Sequence, residues 1–144
     1  MSSSARIKWL GAVPEWLSSR KAAVENWLID KSKERGYGIR TLSYTFLNDQ
    51  DIEELNTRLL KHAYPTDIIT LDHSEGRKNL KVELYLGIEQ IQTYASANRL
   101  PFEEELCRVL VHGLLHCMGW DDHSIEDKNE MRKEEDLCLL SRPK

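Results

Sequence analysis

Leu42, Tyr44 and Phe46 alternate with Thr41, Ser43 and Thr45 in the two-residue period of a strand with one face buried. Two more strands are expected over Asp67 to Asp72, rich in isoleucine and threonine, and over Leu80 to Leu86. Ser74-Glu75-Gly76-Arg77-Lys78-Asn79 between them reads as a hairpin connection, so this pair should run antiparallel. Ile7 to Leu10 supplies a short fourth strand.

Elsewhere the apolar residues recur at helical spacing. Pro14 suits the first turn of a helix running to about Arg35, with Val24, Trp27 and Leu28 as its buried stripe, and Gly36 and Gly38 end it. Asn48 and Asp49 offer caps for a helix from Gln50 to Leu60. Ile88 to Asn98 and Phe102 to Met118 follow, parted by Pro101, with Glu103, Glu104 and Glu105 placed where carboxylates favour a helix N-terminus. Ser124 with Asp127 resembles a capping box opening a last helix that ends near Leu140. Four strands and about five helices in 144 residues point to a single α/β (α+β) domain spanning 1–144.

Composition changes this picture little. Hydrophobic residues at 40% and charged residues at 31% suit a chain that folds. No apolar run approaches the ~18 residues of a membrane span, and the Trp9-to-Val13 patch is too short for a signal-peptide core, so a cytoplasmic location with no membrane partner is expected. Cys107, Cys117 and Cys138 form no CxxC pair and read as reduced thiols; Cys117 beside His116 could bind metal, but a buried helical cysteine is the commoner role. The net charge of -4 gives a nucleic-acid substrate no general support. A local cluster of Arg20, Lys21, Lys31, Lys33, Arg35 and Arg40 could form one basic face, or an ordinary solvated surface.

The chemistry is concentrated in His112-Gly113-Leu114-Leu115-His116-Cys117-Met118-Gly119-Trp120-Asp121-Asp122-His123. Residues four apart on a helix lie about 40° apart around the axis and about 6 Å along it, so both imidazoles can reach one ion. Gly119 suits the left-handed residue that stops a helix, returning the chain so that Asp122 or His123 can supply a third ligand. Three protein ligands and an open fourth position are the arrangement of a catalytic zinc site. As a packing explanation, two buried imidazoles at this spacing would each need a hydrogen-bond partner, which makes a metal-free core reading the weaker one. Zinc peptidases place a glutamate after the first histidine as general base; here that position is Gly113, so peptidase chemistry ranks low.

The stretch resembles the signature His-Gly-x-Leu-His-x-x-Gly-Tyr-Asp-His of the YbeY family, bacterial endoribonucleases of ribosomal RNA maturation. Leu55-Asn56, Pro65-Thr66-Asp67-Ile68-Ile69-Thr70 and Phe102-Glu103-Glu104-Glu105-Leu106 extend the resemblance across residues 40 to 140. It implies a small mixed sheet, a metal site on a buried central helix, and single-stranded RNA, ribosomal RNA above all, cut by a metal-bound water held by His112 and His116. Ribosome-associated proteins are implied as possible partners. Two positions depart from the pattern. Ungapped alignment makes Asp122 the third ligand in place of the family's histidine, with His123 one residue away as the alternative. The family's phosphate-contacting arginine corresponds to Leu60, leaving Lys61, or Arg58, to meet substrate phosphate.

No general acid or base is assigned by the sequence, though Asp121, His62 and His73 are candidates. Trp9, Trp16 and Trp120 could stack on bases, with core packing the default. Two other functions fit the same residues: a metal-stabilised ribosome-assembly factor that does not cut, and a zinc hydrolase of small phosphate esters or amides.

Overall fold

A computed structural model describes residues 6–60 and 66–144. Four strands, β1 (Arg6–Gly11), β2 (Ile39–Leu47), β3 (Ile68–Asp72) and β4 (Leu80–Gly87), form one mixed sheet in the order β1-β2-β4-β3. β1 pairs with β2 and β2 with β4 in parallel, whereas β3 returns antiparallel to β4, as the hairpin connection implied.

Among the described residues six helices accompany the sheet: α1 (Glu15–Ser18), α2 (Lys21–Glu34), α3 (Asp49–Leu60), α4 (Ile88–Ala97), α5 (Phe102–Cys117) and α6 (Ile125–Leu139). The expected total was about five. The N-terminal helix breaks at Ser19–Arg20, where Ser19 and Arg20 bond back to Glu15 and Leu17 and a second helix starts. Pro14 caps the first piece from outside it. Asn48 caps α3, its Oδ1 accepting the Asp51 N–H at 2.8 Å. Both bonds of the Ser124–Asp127 capping box are present at the start of α6.

The alternation read in the sequence sets the layers. Leu42, Tyr44 and Phe46 of β2 and Val82, Leu84 and Leu86 of β4 are all buried, forming the core with Leu106, Leu110 and Leu114 of α5. Trp9 stacks on Tyr44 with ring centroids 4.9 Å apart, and the Tyr44 hydroxyl donates to the Leu110 carbonyl at 2.8 Å, tying sheet to helix. Trp27 Nε1 donates to the Cys138 carbonyl and joins α2 to α6. α5 is the central helix, with ten buried residues among its sixteen. Arg6, Lys8, Thr41, Ser43, Lys81 and Glu83 line an open hollow of about 500 Å³ over the sheet. No helix among the described residues is long and apolar enough to cross a membrane.

Candidate metal centre

α5 packs closely on the sheet at Gly113. A Cβ there would lie 2.3 Å from Leu84 Cδ2 and 2.8 Å from Ile68 Cδ1, so any larger residue would force these side chains to shift. With Gly113 against β3 and β4, His112 stands half-buried beside the interface and His116 reaches the surface one turn later. The helix ends in a Schellman motif: Gly119, at φ 105°, donates to the His116 carbonyl and Trp120 donates to the Leu115 carbonyl. This reversal swings Asp121 and Asp122 back towards the two histidines, and the Ser124 capping box fixes the far end of the loop.

Asp122 Oδ2 lies 3.5 Å from His112 Nε2. His116, Asp121 and Asp122 each present a ligand atom within 4.8 Å of the others. Asp122 thus adjoins both histidines. His123 is 70% exposed and meets this group at Asp121, its Nε2 3.3 Å from Asp121 Oδ1. Asp121 Oδ1 also accepts the Asp122 backbone N–H at 3.0 Å.

Each imidazole has its Nδ1 against an oxygen acceptor: Glu135 Oε2 at 2.6 Å for His112, and the Trp120 carbonyl at 3.2 Å for His116. A Nδ1–H donor to either oxygen puts the free lone pair on Nε2, the tautomer that can bind an ion. Two Nε2 atoms and a carboxylate suit a borderline divalent ion of the zinc type, so the donor set fits. Burial pulls the His112 pKa down, but the Glu135 hydrogen bond and the charges of Glu135, Asp122 and Asp67 outweigh it, and the net direction is upward. Cys117 is a different case. Burial, with the Asp72 carboxylate beside it, pushes its thiol up to about 12.

Lys61 and His62 fall outside the described residues. Leu60 is half-exposed at the end of α3. His73 pairs with Glu83 at 3.0 Å on the open sheet hollow. Trp9 donates to Glu25, while Trp16 and Trp120 lie under Arg20 and Arg35. Three of the six residues of the basic cluster are engaged within the protein: Arg35 bonds Glu134 at 2.6 Å, Lys31 bonds Glu34, and Arg20 donates to the Lys144 carbonyl.

Sequence reasoning missed the buried charges beside the site. Glu105, Arg108 and His112 share one stripe of α5, and Arg108 donates to Glu135 and Asp136 of α6 at 2.8 Å each. Charged residues spaced three to four apart in so apolar a helix were the available signal. Glu105 Oε1 has no partner among the described residues, and burial pushes the carboxyl up to about 7 despite Arg108 and Arg132. A raised carboxyl pKa means the folded state holds the proton more tightly than the unfolded chain. Its contribution to stability is full below about 4.5 and is lost as pH rises through about 7. Glu105→Gln should therefore gain on the order of 2 kcal/mol over wild type between pH 5 and pH 8 in chemical denaturation. An equal difference from wild type at both pH values would refute this.

Residues 14–141 match the family model described as Endoribonuclease YbeY. Endoribonuclease YbeY of Cytophaga hutchinsonii is 35% identical over 123 residues, covering 85% of this chain and 86% of that protein. Endoribonuclease YbeY of Parabacteroides distasonis is 35% identical over 126 residues, covering 86% and 87%. A solution structure from Thermotoga maritima superposes with a TM-score of 0.66 at 22% identity, covering 94% of this chain and 87% of that one, a likeness of fold.

Proposed function

The chain belongs to the endoribonuclease YbeY family, and from that premise we propose that it is a zinc-dependent hydrolase cutting single-stranded RNA in ribosomal RNA maturation and ribosome quality control. The reading rests chiefly on one arrangement: two imidazoles, each with Nδ1 engaged by an oxygen, and the Asp122 carboxylate beside both. His112, His116 and Asp122 are the proposed ligands of one ion per chain. A family named for endoribonuclease activity disfavours both a factor that does not cut and a hydrolase of small esters or amides.

A divalent ion held there supplies Lewis acidity, lowering the pKa of water towards ~7 and drawing charge from a phosphoryl oxygen. The chain's own residues do the rest. Asp121 orients Asp122 through its backbone N–H. Glu135 and the Trp120 carbonyl hold the two rings in one tautomer. The Gly119 reversal leaves His116 and Asp121 exposed, so an RNA strand reaches them without an opening motion. Lys61, directly after Leu60, is the proposed cation for a substrate phosphate. The cytoplasm, where ribosomes assemble, is the proposed location, with ribosome-associated proteins as proposed partners.

Elemental analysis of the purified protein, with cleavage of a single-stranded RNA before and after chelation, tests this reading. About one zinc per chain is expected, with cleavage lost on its removal and regained on its return. A chain that takes up no stoichiometric metal, and cleaves equally well in chelator, would sink the reading. Products ending in 2′,3′-cyclic phosphate would assign the first attack to the ribose 2′-OH instead of water.

A further inference from the structure

We propose that Glu135 of α6, clamped by Arg108 of α5, is a positioning residue that sets the metal affinity of His112. This deepens the preceding proposal and rests on it. Both Glu135 oxygens are committed: Oε1 accepts from Arg108 Nη1 at 2.8 Å and Oε2 meets His112 Nδ1 at 2.6 Å. Arg108 is itself fixed, because Nη2 donates to Asp136 Oδ1 at 2.8 Å on the next residue of α6. The carboxylate cannot rotate without breaking one of two charged hydrogen bonds, so the imidazole plane is fixed from behind. The Nε2 edge is left facing Asp122.

Stability alone accounts poorly for this arrangement. Arg108 and Glu135 are 9% and 5% exposed. Drawing two such charges out of water is costly, and apolar residues of like volume often replace a buried pair without loss. A carboxylate behind a ligating histidine, by contrast, fixes the ring tautomer and raises its basicity, commonly worth 10- to 100-fold in metal affinity. Glu134, the preceding residue, supplies the internal comparison: it pairs with Arg35 at 2.6 Å, and no hydrogen bond or ion pair joins it to either histidine.

The test measures zinc affinity by chelator competition for wild type, Glu135→Gln, Glu135→Ala and Glu134→Gln, with thermal unfolding of each. Long-range ¹H–¹⁵N spectra of the zinc-loaded forms report the His112 tautomer. Glu135→Gln keeps the shape and one acceptor, and is expected to fold and to weaken zinc about 10-fold; Glu135→Ala should weaken it about 100-fold. Glu134→Gln is expected to bind zinc as wild type does. Wild-type affinity in Glu135→Gln, or an equal loss in Glu134→Gln, overturns the inference and leaves the metal site standing. A wild-type chain that takes up no zinc removes both.

Discussion

Gly113→Glu, the change that would complete a His-Glu-x-x-His motif, is expected to abolish folding and to yield no peptidase. The residue after the first histidine faces β3 and β4, where even a methyl group would meet Leu84 Cδ2 at 2.3 Å, Ile68 Cδ1 at 2.8 Å and Thr70 Oγ1 at 3.3 Å. Leu84 is fully buried, so displacing it disturbs the core. Gly113→Ala alone should cost about 1–3 kcal/mol from overpacking, partly offset by about 1 kcal/mol of helix propensity. A glutamate adds several buried atoms and an unpaired charge, together of the same size as the ~5–15 kcal/mol stability of a domain. Circular dichroism and urea denaturation of both variants measure this. A folded Gly113→Glu protein with a near wild-type midpoint would show that α5 can lift from the sheet.

The second large effect is at the surface end of the same helix. His116→Ala is expected to retain the fold, since its side chain is exposed, but to lose zinc and cut RNA roughly 10³-fold or more slowly. The loss corresponds to about 4 kcal/mol of transition-state stabilisation. Asp122→Ala should behave similarly, because Asp122 is the residue that adjoins both histidines. His123→Ala should keep both metal and activity, since among the described residues its ring pairs only with Asp121. Elemental analysis with single-turnover cleavage separates the cases. Loss of zinc in His123→Ala with retention in Asp122→Ala would move the third ligand one residue along.

Much of the fold was legible because its signals are local. The period-two alternation of β2, the hairpin turn before β4, the Ser124 capping box and the Gly119 stop each rest on a few consecutive residues, and each is found in place. The break at Ser19–Arg20 was not legible, because the apolar stripe of α2 resumes immediately and no glycine or proline marks the turn. In the site, the spacing of His112 and His116 was readable from helix geometry alone. Ungapped alignment favoured Asp122 over His123; that Asp122 adjoins both histidines depends on how the Schellman turn aims the loop. Glu135 lies far from His112 in sequence, and only the packing of α6 on α5 brings its carboxylate to the ring. The role of Gly113 likewise needed the sheet beneath it.

β1 meets β2 by pairing Arg6 with Thr41, and β2 meets β4 by pairing Ile39 with Leu80, each across a long stretch of chain. From β3 onward the connections are short: a hairpin to β4, then α4, α5 and α6 in succession, with α4 packed on α5 and α5 on α6. Loop-closure entropy rises with separation, so these local contacts are the cheapest to form and the parallel ones the dearest. The proposed metal ligands and Glu135 all lie C-terminal to β4, and the β2–β4 pairing, whose partners are farther apart in the chain than those of β1 and β2, is the one whose closure demands the most chain ordering.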